Sequence, residues 1–292
     1  MHLFPDRNYR FPEPEDSEIL TLYKYMTETA LVCFLSNGCL KLSFGYDSND
    51  PFELLPAEEK PDSKEFVHTG FVSFTKNDNS PEMWGIYADK YRGARLEFQF
   101  PYCKNTGHEY DGNYAHFLGI KSRIEDGNQI EFIRRWSSPR VGHYDHYGDA
   151  GDIIYKCRYS TERPPSMTPN LSAASHDDYK NWIRKRITTK HISWEHEDEY
   201  RLVYLCSCCD KILPNGNSFI YLLNELTPFL KSITLGPRSN ITLSDVAHNL
   251  DQNNILAPGQ SIAYRKARFQ EGLYDLDMDS QTLTFPPKKR TE

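Results

Sequence analysis

The chain has 292 residues, of which 38% are hydrophobic and 13% aromatic, enough for a substantial core in one large domain or two small ones. Its formal net charge of −7 and isoelectric point of about 5.8 argue against a general nucleic-acid coat, although a local basic groove is compatible with them. No apolar run approaches the roughly 18 residues of a membrane span, and the N-terminal sequence lacks the pattern of a secretory signal, so we expect a cytoplasmic protein.

Composition divides the chain into three parts. Residues 1–17 are rich in proline and acidic residues, which is typical of a flexible arm. Residues 18–268 carry the strand and helix patterns and are expected to form a single α+β domain. Residues 269–292 end in PPKKRTE and are expected to form a tail.

The first predicted elements lie between residues 22 and 44. The segment 22–25 is strand-like, and 27–36 predicts a short helix with Thr27 as N-cap and Gly38 just after its end. Apolar residues alternate at 40, 42 and 44, which predicts a strand.

A second group follows a charged loop at 56–65. It comprises a strand at 66–74, a helix at 81–90 opened by Ser80 and Pro81, and a strand at 94–100. On the helix, an apolar stripe at helical spacing indicates a face that packs on the core.

The remaining pattern is mostly strand-like. We expect strands at 153–159, 194–205 and 219–223, a passage from helix to strand around 229–235, and helices at about 175–187 and 243–250. Strict alternation of strand and helix is absent. The fold class is therefore α+β, with a mostly antiparallel, aromatic-rich sheet flanked by short helices.

The stretch WEHEDEYRLVYL at 194–205 carries the strongest chemical signal. Glu197 and Glu199 stand two apart on a predicted strand, so both side chains should project to one side, with Arg201 beyond them. Such a face is either solvated, with weak surface ion pairs, or it lines a functional site.

Five blocks, taken in order, resemble a known family. They are LYKY (22–25), NDPFE (49–53), SFTKNDNSPEMWGIYADKYRGARLEF (73–98), KCRYSTERPP (156–165) with WEHEDEYRLVY (194–204), and ITLGPRSN (233–240). Together they are similar to the bacterial domain-of-unknown-function family 2971. That family often has histidine before its Tyr-Ala pair, where this chain has Ile86.

The E-x-E pair also resembles the late motif of ADP-ribosyltransferase folds, and the fold itself is then expected to be ADP-ribosyltransferase-like. The resemblance implies that Glu199 is the catalytic carboxylate, that Glu197 orients the acceptor, and that Ser73 is a pocket hydroxyl that holds the glutamate. A carboxylate near the anomeric carbon would stabilise the positive charge that develops as nicotinamide leaves ribose.

The same resemblance implies NAD as substrate, bound by aromatic and basic groups. Tyr23 or Tyr25 would stack on nicotinamide or touch a ribose, Lys24 would meet the pyrophosphate, and Arg201 would hold the glutamates or the pyrophosphate. Trp84 and Tyr87 would sandwich a ring, unless they form only the core face of their helix. The acceptor would be a macromolecule or water, as in a toxin or an anti-phage defence effector.

Two other functions remain open. A non-catalytic module could bind nucleic acid or protein through the aromatic helix and the basic run WIRKR at 182–186. A metal-dependent nuclease could use Asp50 with Glu197 and Glu199, although NDP at 49–51 is also an ordinary turn signal.

No metal site is expected. The cluster Cys206-Ser207-Cys208-Cys209 lacks partners at metal-like spacing, and His143-Tyr144-Asp145-His146 stands alone. The characteristic motifs of P-loop, Rossmann and α/β-hydrolase sites do not occur in the sequence.

Overall fold

The computed structural model describes residues 18–45, 48–54, 69–102, 114–116, 120–125, 128–133, 153–165, 185–205, 209, 211–215, 218–223, 226–256, 260–273, 275–278 and 282–284. The predicted arm at 1–17 and most of the predicted helix at 175–187 lie outside these residues. Among the described residues, no helix is long and apolar enough to cross a membrane.

The described part of the chain is mixed α and β. Its helices are α1 (Glu28–Asn37), α2 (Pro81–Ile86) and α3 (Leu243–Gln252), with 3-10 helices at Ile192–Glu197 and Thr227–Phe229. Its strands are β1 (Glu18–Met26), β2 (Leu40–Lys41), β3 (Thr69–Thr75), β4 (Ala94–Tyr102), β5 (Tyr114–His116), β6 (Ile120–Glu125), β7 (Asn128–Ile133), β8 (Ile153–Lys156), β9 (Arg158–Ser160), β10 (Thr189–His191), β11 (Glu199–Leu205), β12 (Lys211–Asn215), β13 (Ser218–Leu223), β14 (Leu230–Leu235), β15 (Ala263–Lys266), β16 (Arg268–Phe269), β17 (Leu276–Asp277) and β18 (Thr282–Thr284).

A nine-stranded sheet organises the fold, in the order β18-β15-β14-β4-β1-β3-β11-β8-β5. Its neighbours run antiparallel except for β14 and β15, which are parallel. The prediction of a large, mostly antiparallel sheet with a few short helices is therefore confirmed. Part of the predicted tail is folded, because β18 pairs with β15 and β17 pairs with β16.

Local sequence signals explain the helix ends. Thr27 caps α1 by accepting a hydrogen bond from the Ala30 N–H, and Gly38 ends the helix in the left-handed conformation at φ 69°. Ser80 caps α2 in the same way, with Pro81 at the first helical position. The helix α2 is shorter than predicted, since residues 87–92 form a turn.

Two apolar clusters lie beside the central strands. The larger joins α1 and α3 to the sheet and includes Leu22, Phe34, Phe74, Phe98 and Leu202. The smaller packs α2 against β1 and the segment after β15, around Tyr25, Met83, Trp84, Ala88, Ala267 and Leu276.

Gly93 fixes the approach of the α2 turn to β1. A Cβ atom there would lie 1.9 Å from the Met26 carbonyl oxygen, so only glycine fits. This contact places α2 beside the first strand.

Candidate active site

A cavity of about 280 Å³ lies where strands β1 and β3 separate. The two neighbours pair only at Tyr23 and Thr75, although β1 has nine residues and β3 has seven. The β3 edge is bridged again at Phe71, which exchanges two backbone hydrogen bonds with Ser43. Ser73 lies between these points, so it faces the gap in the sheet.

Lys24 reaches across this gap. Its Nζ donates a hydrogen bond to the Ser73 carbonyl oxygen at 3.1 Å. On β1 it stands between Tyr23 and Tyr25, and all three residues line the cavity. Burial, opposed by the negative charge of Glu199, lowers the pKa of Lys24 to about 8.

A serine, a glutamate and an arginine meet at the base of the cavity. Arg201 on β11 stands directly opposite Ser73 on β3, which places Glu199 beside both. The Ser73 hydroxyl donates to Glu199 Oε1 at 2.6 Å. Arg201 Nε donates to the same oxygen and Nη2 donates to Oε2, each at 2.9 Å. Such a forked pair fixes the plane of the carboxylate.

Glu197 arrives by a different route from the one that the sequence predicts. The predicted strand at 194–205 begins only at Glu199, because Ile192–Glu197 form a 3-10 helix and Asp198 is left-handed at φ 39°. The two glutamates are therefore not neighbours on one strand face. They converge because Lys190 on β10 bonds both, at 2.5 Å to Glu197 Oε2 and 3.0 Å to Glu199 Oε2.

The second oxygen of Glu197 is held from α2. The Tyr87 hydroxyl, at the C-terminal end of that helix, donates to Glu197 Oε1. The Tyr87 side chain lines the cavity and is half-buried, whereas Glu197 is 3% exposed.

A third carboxylate completes the charge cluster. Glu53 lies 2.8 Å from Arg201 Nη2 and 3.8 Å from Lys190 Nζ, and it is almost fully buried. Three carboxylates thus surround two cations. Neither Glu53 nor Lys190 is among the site residues predicted from the sequence, although Glu53 ends the NDPFE block.

The charges decide which groups are ionised. Burial by itself would raise the pKa of Glu199, but Arg201 and Lys190, with the hydrogen bonds from Arg201 and Ser73, hold it well below its usual range. Burial raises the pKa of Glu53, assisted by the nearby charge of Glu199. The lowered pKa of Glu199 keeps this carboxylate ionised across the physiological range.

Tyr159 fixes the backbone of this glutamate. Its hydroxyl oxygen accepts a hydrogen bond from the Glu199 N–H at 2.7 Å. Both the main chain and the side chain of Glu199 are thus positioned before any ligand enters.

Two predicted ligand-binding residues do not reach the cavity. Arg201 is 0% exposed, because its guanidinium is enclosed by Glu53, Glu199 and the Ile187 carbonyl oxygen, so it holds the glutamates and cannot contact a pyrophosphate. Trp84 is also 0% exposed and packs edge-on against Tyr25, with ring centroids 5.2 Å apart. It belongs to the core face of α2.

The residues of the two alternative functions are placed differently from expectation. Asp50 is buried and its Oδ1 accepts the Phe52 N–H at 2.9 Å, which is turn chemistry. Lys190 occupies the space between the carboxylates where the metal of a nuclease would bind. Among the described residues, no cluster of three or more His, Cys, Asp or Glu side chains could hold a metal ion. Arg186 is buried, so it is not part of an open basic surface.

Some predicted features lie outside the described residues: 143–146, 182–184, Cys206 and Cys208. Cys209 is half-buried. Ile86 is 49% exposed on α2 and does not line the cavity.

Residues 83–202 match a family model described as a protein of unknown function, DUF2971. This match confirms the family resemblance over a stretch that runs from α2 to Glu199 and Arg201. No curated protein and no solved structure matches the chain. The resemblance to ADP-ribosyltransferases finds no support in these comparisons and stays a prediction.

Proposed function

We propose that the cavity binds the nicotinamide end of NAD and cleaves its bond to ribose, passing ADP-ribose to a macromolecule or to water. The observation that carries this proposal is the Ser73 hydroxyl bonded at 2.6 Å to Glu199, an ionised carboxylate in the gap between β1 and β3.

The chemistry requires a fixed negative charge beside the reacting carbon. As the bond from ribose to nicotinamide breaks, positive charge develops at the anomeric carbon. A carboxylate that is already positioned stabilises that charge without reorganisation during the reaction. Glu199 meets this requirement because Ser73, Arg201 and Lys190 hold it ionised and in one orientation.

The size and lining of the cavity support one end of the dinucleotide as its occupant. At about 280 Å³ it lies just below the range of roughly 300–1,000 Å³ for drug-sized ligands. Tyr23, Tyr25 and Tyr87 offer ring surface for a planar amide. Lys24 offers a cation to the phosphates of the bound dinucleotide where they extend out of the cavity.

The experiment combines NAD binding with product formation. A thermal-shift titration with NAD, with nicotinamide release followed in parallel, is run on wild type, Glu199→Gln and Glu195→Gln. We expect stabilisation and release in the wild type, and release that disappears in Glu199→Gln. Glu195 is exposed on the neighbouring 3-10 helix, so its variant controls for loss of a nearby carboxylate.

Two outcomes would contradict the proposal. An NAD shift and a release rate in Glu199→Gln equal to those of wild type would remove Glu199 from the mechanism. A wild type that neither shifts nor releases nicotinamide would reject NAD as the substrate.

A further inference from the structure

Both oxygens of Glu197 are already engaged. Oε2 accepts a hydrogen bond from Lys190 at 2.5 Å, and Oε1 accepts one from the Tyr87 hydroxyl. Glu197 lines the cavity together with Glu199. An acceptor that approaches Oε1 of Glu197 therefore meets the Tyr87 hydroxyl, which is already bonded to that oxygen.

Tyr87 is placed to act between Glu197 and the acceptor. A phenol has one donor hydrogen and lone pairs that accept. The hydrogen of Tyr87 is directed at Glu197, which leaves the lone pairs of the same oxygen for another partner. Tyr87 and Glu199 line the same cavity, so an acceptor bound there can lie between them.

We propose that the Tyr87 hydroxyl contacts the acceptor and relays its proton to Glu197, which Lys190 positions as a carboxylate. This inference rests on the proposed cleavage of NAD. In the reaction, the bond from the anomeric carbon to the nicotinamide nitrogen breaks and its electron pair leaves with nicotinamide. The acceptor oxygen or nitrogen forms the new bond, its proton passes to the Tyr87 oxygen, and the Tyr87 proton passes to Glu197 Oε1.

Charged groups from several elements surround Glu197 and its partner Lys190. Among the described residues, Lys190 from β10 and Tyr87 from α2 bond Glu197 directly. Lys190 also contacts Glu199 from β11 and Glu53 from the turn. Arg201 lies behind Glu199 and Glu53. Of the two cations, Lys190 and Arg201, only Lys190 bonds Glu197. Loss of Lys190 would therefore leave the carboxylates of Glu197 and Glu199 without the cation that they share.

The first test compares two hydroxyl deletions. NAD is the donor and water the acceptor, and kcat and KM for nicotinamide release are measured for wild type, Tyr87→Phe and Tyr91→Phe. We expect Tyr87→Phe to lower kcat about 100-fold with little change in KM, the usual scale of general base catalysis. The Tyr91 hydroxyl donates to the Pro81 carbonyl oxygen and Tyr91 does not line the cavity, so its variant should match wild type.

The second test uses the pH profile, which a merely structural role would not move. In Lys190→Met the acid limb of kcat should move about one to three pH units upward, because the ammonium no longer stabilises the adjacent carboxylates. Lys190→Arg should largely restore the limb. Thermal unfolding of each variant checks that the fold is retained.

The failures of the two proposals can be told apart. No nicotinamide release from wild type would reject NAD cleavage and the relay with it. Release that is lost in Glu199→Gln but stays within twofold of wild type in Tyr87→Phe would overturn the relay alone. An unmoved acid limb in a folded Lys190→Met protein would also overturn it.

Discussion

The sheet contains two Ser–Glu–Arg groups that invite comparison. In the cavity, Ser73 and Arg201 hold Glu199, with contacts of 2.6 and 2.9 Å. On the other side of β1, Ser232 and Arg265 hold Glu97, with contacts of 2.7 and 3.4 Å. The residue types are the same, and so is the hydroxyl bond, yet only the first group faces the gap between β1 and β3.

Burial and neighbouring charge separate the two groups. The Arg201 and Glu199 side chains are 0% and 5% exposed, against 24% and 16% for Arg265 and Glu97. Glu199 also has a second cation, Lys190, whereas Glu97 lies on a continuous part of the sheet, paired on both edges of its strand. A carboxylate held by serine and arginine becomes a candidate catalytic group only where the sheet opens beside it.

The largest expected difference concerns the two arginines. Arg201→Met should lower the free energy of unfolding by about 3–5 kcal/mol, because it leaves Glu53 and Glu199 buried with less compensation. Arg265→Met should cost about 1 kcal/mol or less, since its ion pair is longer and more hydrated. Urea denaturation measures both, and equal losses would show that burial does not distinguish the groups.

The two serines should have similar structural effects and different functional ones. Ser73→Ala and Ser232→Ala each remove a hydroxyl bonded to a carboxylate, at a cost of about 1.5–3 kcal/mol in unfolding free energy. Only Ser73→Ala should slow nicotinamide release, by about tenfold, because one such hydrogen bond is worth at least 1.4 kcal/mol to the orientation of Glu199. Comparable rates in the two variants would contradict this assignment.

The smallest expected effect is the pH dependence of binding at Lys24. Its pKa is lowered to about 8, so the amine is charged below that pH and neutral above it. NAD affinity should therefore fall by up to about tenfold as pH rises from 7 to 9.5, through loss of one charged hydrogen bond. Calorimetric titration of wild type and Lys24→Met checks this, and a variant with the same pH dependence as wild type would exclude Lys24 as the cause.

Local signals predicted the elements well where a few adjacent residues decide the structure. Thr27, Gly38 and Ser80 act as caps in the structure as the sequence indicates, because a cap depends only on its own turn. The bond from Ser73 to Glu199, which the resemblance to ADP-ribosyltransferases implied, is present in the structure. The predicted position of Glu197 on one strand face with Glu199 was wrong, because Asp198 turns left-handed and interrupts the strand pattern.

The charge cluster could not be read from the sequence. Lys190 stands in TTKHI on a three-residue strand. Glu197 and Glu199 follow it by 7 and 9 residues, but Glu53 comes from a distant segment of the chain. Trp84 fitted both a ligand-binding face and a core face, and helical spacing alone does not decide between them. Its complete burial settles the point, because the ring packs edge-on against Tyr25 and is stacked with Tyr91 of the turn after α2.

The most direct test of the account compares the two glutamates in one assay. Nicotinamide release from NAD is measured for wild type, Glu199→Gln and Glu97→Gln under identical conditions, with thermal unfolding as a check on folding. The account predicts that Glu199→Gln abolishes release while Glu97→Gln retains it within about twofold. Equal loss in both variants, or full activity in Glu199→Gln, would contradict the claim that the cavity glutamate carries the chemistry.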